Sequence, residues 1–153
     1  VATAAGCQLV GACDLAIASE TARFAVSGIN VGLFCSTPAV ALSRNVPTKR
    51  AFEMLVTGKF IDARTASDWG LVNTVAAPEA LDAAVDDLAN TIIAKSPDAI
   101  RRGKALFQAQ RERPRAEAYA LACEVMARNM MDENTDEGIS AFLEKRAPVW
   151  RPN

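Results

Sequence analysis

From Val1 the chain keeps its apolar residues in short blocks and separates them with alanine, glycine and serine. "AAGCQL" reads as the tight entry of a helix and "DLAIAS" (Asp14–Ser19) as a buried strand after it. "RFAV" (Arg23–Val26) makes a second strand, reached through the turn-prone "SETA". The pattern then changes period. Ser36 or Thr37 can cap a helix with Pro38 at its first position, and Pro47 can start another. Phe52, Leu55 and Val56 form that second helix's apolar face, which Gly58 closes. Asp62 caps a short helix ending at Gly70, and "LVNTV" (Leu71–Val75) is a third strand.

From Pro78 onward the spacing is helical almost throughout. One helix covers Pro78–Lys95, and another starts at Ser96–Pro97, where serine caps and proline takes the first turn. A long helix runs over Arg115–Met131, with Ala116, Tyr119, Cys123, Met126 and Met130 on one stripe that reads as buried packing. A last helix spans Asp136–Lys145, and "RAPVWRPN" is a tail. The fold class is therefore α/β, with residues 1–77 forming an α/β part and 78–153 a helical part. Three short strands are too few to close a sheet among themselves, and open edges are costly, so a partner segment is expected. The simplest partner is an N-terminal half of the same fold, preceding Val1.

Charge and composition narrow the classes. The 153 residues carry a formal net charge of -1, with 50% apolar and 23% charged, the profile of a soluble globular protein. That balance gives no reason to expect a nucleic-acid or anionic-membrane partner. No apolar run approaches the roughly 20 residues of a membrane span, and the apolar start lacks a basic flank. The expected location is the cytoplasm. Histidine is absent, which removes imidazole catalysis and most zinc sites, so no metal is expected. Cys7, Cys13, Cys35 and Cys123 are scattered without a C-x-x-C pair and read as buried, reduced thiols.

Four blocks carry a resemblance: "ATAAGCQLVGACDLAIAS", "ARFAVSGINVGL", "RAFEMLVTGKFIDARTASDWGLVNTV" and "DEGISAFLEKRAPVW". In this order and spacing the chain resembles the crotonase superfamily, the enoyl-CoA hydratase/isomerase fold, over nearly its whole length. It is closest to the enoyl-CoA hydratase domain-containing branch, through "ATAAGCQLV" and "INVGLFCSTP". The resemblance implies the C-terminal half of a ββα-spiral subunit that is about twice as long, followed by a helical region. It also implies an acyl-CoA ester as substrate, coenzyme A as part of that thioester, no tightly bound cofactor, and a homotrimer or hexamer.

In the family a Gly-Gly-Gly run supplies a backbone N–H that stabilises the thioester enolate oxygen. Here the run reads Ala4-Ala5-Gly6, which carries the donor to the N–H of Ala5, with Gly6 leaving the pocket open. Read locally, the same small residues allow close helix–strand packing, and both readings stand. The family's two hydratase glutamates fall at Gln8 and Gly28, and an isomerase carboxylate falls at or near Ser36. An amide, a bare α-carbon and an unactivated hydroxyl cannot shuttle a proton at neutral pH. Small groups remain: Gln8, Ser27, Asn30, Cys35 and Ser36. Asp14 reads as a backbone acceptor, and Cys35 as a core thiol with no histidine to activate it.

The family's CoA-nucleotide contacts on the last helix fall at Phe142 and Lys145, with Arg146 offering a second cation. Without the resemblance, "EKR" is an ordinary solvated helix end. Two functions follow, beside a purely structural reading as an assembly module whose helices hold an oligomer together. One is an enoyl-CoA hydratase/isomerase-type enzyme whose proton-handling groups lie in the other half of the subunit. The other is an acyl-CoA-binding or regulatory protein that has lost the acid–base pair.

Overall fold

Strand β1 is only Ala2–Thr3 and runs straight into helix α1 (Ala5–Ala12). The computed structural model describes residues 1–151, so Pro152 and Asn153, the end of the expected tail, lie outside the described residues. After α1 come β2 (Ile17–Ser19), β3 (Arg23–Ala25) and a 3-10 turn at Ser27–Val31. Helices α2 (Ser36–Asn45) and α3 (Thr48–Thr57) follow, then β4 (Ile61–Asp62), α4 (Ala63–Asp68) and β5 (Thr74–Ala76). A second 3-10 turn at Pro78–Ala80 leads into α5 (Leu81–Ile93). The chain packs as two units, Val1–Asp86 and Asp87–Asn153.

The strands of the first unit form two small sheets. In one, β3 lies between β1, to which it runs parallel, and β4, to which it runs antiparallel. In the other, β2 pairs with β5 in parallel, with Ala18 opposite Val75. The core around them is built from Cys7, Phe24, Val26, Leu42, Met54, Leu55, Leu71 and Val72, with buried alanines between. Small residues set the spacing: a Cβ on Gly11 of α1 would stand 3.4 Å from Ala41 Cβ of α2. The Asn45 side chain donates to the Gly11 carbonyl at 2.7 Å, tying α2 back to α1.

Local signals hold at several element ends. Gly58 takes φ +60 to stop α3, and a Cβ there would come within 2.9 Å of Ile29, so glycine is required twice over. Asp62 Oδ1 accepts the Thr65 N–H at 2.7 Å and starts α4. The face of α3 is a correction. Its buried residues are Ala51, Met54 and Leu55, while Phe52 and Val56 are exposed. "AFEMLV" is apolar at five of six positions, so its period is ambiguous and the contact with the core chooses the face.

The second unit contains α6 (Pro97–Gln110), α7 (Arg115–Met130) and α8 (Glu133–Glu144), followed by residues 146–151 in neither helix nor strand. Ser96 Oγ accepts the Ala99 N–H at 3.3 Å, with Pro97 in the first turn of α6. The buried Asn134 pins the tail, donating to Asp98 and to the Arg151 carbonyl while its Oδ1 accepts the Arg151 N–H at 2.8 Å. Trp150 donates to the Ala94 carbonyl at 2.8 Å. Helix α8 starts three residues before the expected Asp136 and stops where Lys145 takes φ 55. Two expectations are corrected here. The stripe of α7 faces outward, with Tyr119, Met126 and Met130 all more than half exposed. Of the thiols, only Cys7 and Cys35 are buried, and Cys13 and Cys123 are exposed. Apolar spacing shows that a helix has a face, not which surface covers it.

Candidate active site

The pairing of β1 with β3 builds the first corner. Thr3 lies opposite Ala25, and the Ala4 N–H closes on the Ala25 carbonyl at 3.0 Å. The chain then turns sharply: Ala4 sits at φ 49, ψ -114, a conformation that favours glycine. Its carbonyl accepts the Gln8 N–H at 3.0 Å, the first bond of α1. The amides of Ala5, Gly6 and Cys7 precede that bond and so have no helical acceptor. Among the described residues no side chain caps this end. Ala5 and Gly6 are exposed, and a Cβ on Gly6 would meet only Ala2 Cβ, at 3.9 Å. The positive end of the α1 dipole therefore faces outward between small residues, an arrangement that can hold an oxyanion. Half-buried Gln8 lies one turn on from Ala5, on the same helical face.

The strand pairing brings the 3-10 turn beside this corner. Ser27 Oγ and Thr3 Oγ1 are 2.9 Å apart, a hydroxyl pair that the sequence does not signal because β1 is only two residues long. Gly28 is closely packed as well as lacking a side chain. A Cβ placed on it would stand 2.6 Å from the Leu33 carbonyl oxygen and 2.8 Å from Cys35 Sγ. The Leu33 N–H donates to the Gly28 carbonyl at 3.0 Å, and Gly32, at φ +79, lets the chain fold back onto it. The loop thus occupies the space from which a side chain at position 28 would project. Sequence reading sees the glycine but not what fills the space beside it.

Cys35 is the buried residue just before α2, and Cys7 is buried in α1. The Cys7 thiol is pushed up to about 11, first by burial and then by the neighbouring Cys35, so it stays protonated at neutral pH. Ser36 is exposed at the first position of α2. Both its N–H and its hydroxyl turn to the Phe34 carbonyl, at 2.8 and 3.4 Å. Asn30 is exposed on the 3-10 turn, and Asp14 is exposed between α1 and β2. Ala5, Gly6, Gln8, Gly28, Cys35 and Ser36 therefore belong to one unit.

Phe142 and Lys145 lie in the other unit. The Phe142 ring is 81% exposed and lines a cavity of about 430 Å³ with Met126, Met130, Ile139, Leu143 and Trp150. Lys145 is exposed at the turn ending α8. Arg146 corrects the expectation of a second free cation. Its Nη1 and Nη2 donate to Glu137 at 2.6 and 3.0 Å, and its Nε to Glu144 at 2.6 Å. The guanidinium is held still more firmly protonated by these carboxylates. Glu137 in turn is pulled down to about 2, chiefly by Arg146 and then by the Val149 N–H.

Comparison with known proteins shows what the chain is similar to. Residues 1–153 match the family described as enoyl-CoA hydratase/isomerase. An enoyl-CoA hydratase structure from Mycobacterium smegmatis is 62% identical, with a TM-score of 0.96 over 97% of this chain and 58% of that one. The structure of human enoyl-CoA hydratase domain-containing protein 3 is 47% identical, with a TM-score of 0.94 over 97% of this chain and 59% of that one. The rat protein of that name is 48% identical over 98% of this chain and 50% of its own length. The chain spans about half the length of the curated relatives it matches. These relatives also correct the expectation of a cytoplasmic location: the rat, mouse, zebrafish and human proteins are all named mitochondrial. A destination is written in a removable leader, and the composition of a folded segment does not encode it.

Proposed function

The chain belongs to the enoyl-CoA hydratase/isomerase family, and from that premise we propose that it supplies the oxyanion-binding half of an acyl-CoA site. The Ala5 N–H is the donor. A thioester enolate forms when a base removes an α-proton or when a nucleophile adds at the β-carbon, and its oxygen then carries the negative charge. A fixed backbone N–H at a helix start stabilises that charge without reorganising during the reaction. Gln8 is a neutral hydrogen-bonding group beside it, while Gly28, Cys35 and Ser36 form the wall. The observation that carries this reading is the uncapped, small-residue start of α1.

The remaining assignments complete the proposal. Residues 1–77 are the C-terminal part of the α/β core, completed by an N-terminal half that brings the proton-handling groups or positions water. Residues 78–153 are a helical region for oligomer contacts, in a trimer or hexamer, with Phe142 and Lys145 against the CoA nucleotide. Calorimetry with a CoA ester on the full-length protein tests the donor. Gly6→Val has room at its Cβ yet crowds the Ala5 N–H, so binding is expected to weaken by about tenfold or more with the melting temperature held. Equal binding by that variant refutes the assignment.

A second reading is favoured by the closed space at Gly28: an acyl-CoA binder without turnover. Turnover of crotonyl-CoA or of a 3-enoyl-CoA by the full-length protein excludes it. Saturable binding with no turnover of either supports it and removes the hydratase/isomerase activity.

A further inference from the structure

The turn between α6 and α7, residues 111–114, carries "RERP", and Arg115 opens α7. A cavity of about 500 Å³ lies at this corner, lined by Arg111, Arg113, Arg115, Gln110 and Tyr119 above Leu106. Its volume falls within the roughly 300–1,000 Å³ of small-molecule sites and exceeds what a bare inorganic anion fills. Three guanidinium groups around one cavity repel each other, and an anion bound between them relieves that repulsion.

The corner is partly organised already. The Arg113 N–H donates to the Gln110 carbonyl at 3.1 Å, and its Nε donates to the Ala109 carbonyl at 3.3 Å. The Arg111 guanidinium lies 5.6 Å from the centre of the Phe107 ring. Arg115 and Tyr119 are one turn apart on the same face of α7, so a cationic fork and an aromatic face border the same space. Tyr119 is 69% exposed, leaving most of its surface unpacked.

We infer that this corner is a ligand site for a nucleoside phosphate. The arginine forks match phosphate oxygens in geometry as well as charge, and the phenol face of Tyr119 takes the base by stacking. None of these residues belongs to the acyl-CoA site proposed above.

The test is calorimetric titration of the full-length protein with ADP, in parallel with inorganic phosphate and with a CoA ester. ADP is expected to bind saturably and more tightly than phosphate. The double substitution Arg113→Gln, Arg115→Gln is expected to weaken ADP binding by about tenfold or more, with Tyr119→Ala weakening ADP but not phosphate. A parallel loss of CoA-ester binding in the double variant places these residues in the acyl-CoA site and overturns the inference. Unchanged CoA-ester binding identifies a free nucleotide. The inference is overturned if wild type shows no saturable ADP binding, if the double variant binds ADP as wild type does, or if phosphate binds as tightly as ADP.

Discussion

Adding a single methyl group at Gly28 tests how this site is walled. In Gly28→Ala the new Cβ would lie 2.6 Å from the Leu33 carbonyl oxygen, inside an ordinary carbon–oxygen contact by about 0.7 Å. Cys35 Sγ, at 2.8 Å, blocks the second direction. A flexible side chain could rotate away, but the first obstacle is backbone, and the Leu33 N–H is itself bonded to the Gly28 carbonyl. Relief therefore requires the 28–35 loop to shift as a unit. Overpacking of this kind costs roughly 1–3 kcal/mol, and at about 2–4 °C per kcal/mol for a domain of 150–250 residues the melting temperature should fall by about 2–12 °C. Thermal unfolding of the full-length protein measures it. Gly103→Ala is the internal control, because nothing lies within 4 Å of its Cβ; within α6 it should stabilise by about 0.5–1 kcal/mol. Gly28→Glu should be worse than Gly28→Ala, and paired with Gln8→Glu it should not raise crotonyl-CoA hydration above that of wild type. A Gly28→Ala protein melting within about 1 °C of wild type, or a folded Gly28→Glu protein that hydrates crotonyl-CoA faster than wild type, refutes the reasoning.

Other outcomes are expected from the same structure. Ala4→Gly should raise stability by about 1 kcal/mol, because relief of the positive φ outweighs the added freedom of the unfolded chain; a lower melting temperature would count against the strained corner. A thiol reagent at neutral pH should label Cys13 and Cys123 first and leave Cys7 and Cys35 until unfolding, as mass spectrometry of digested peptides would read. Glu137 has a folded pKa below its ordinary 4.5, so its link to Arg146 and Val149 contributes fully above that value and is lost as pH falls through about 2. Protection of the Val149 amide from hydrogen exchange, relative to its intrinsic rate at each pH, should fall across that window, and Glu137→Gln should abolish the step.

Much of the fold could be read from neighbours within a few residues. The Asp62 and Ser96 caps, the Gly58 stop and the helical character of 78–145 follow from bonds that span one turn, so local residue types suffice. The candidate donor at Ala5 was legible for the same reason: an amide at a helix start lacks an acceptor whatever surrounds it. At Gln8 and Gly28 the sequence shows only that no carboxylate is present.

What the chain's own order of residues determined, then, is where elements begin and end and which groups carry no ionisable proton. Which face of α3 turns inward, that the α7 stripe turns outward, that Arg146 is already engaged by two carboxylates, and that Gly28 has no room for a side chain were decided by the tertiary structure. The division has a physical cause. A cap or turn is a bond between groups a few positions apart, whereas burial, ion pairing and free volume depend on which distant segments arrive at the same place. The Leu33 carbonyl closes the space beside Gly28 only because the intervening loop folds back through Gly32.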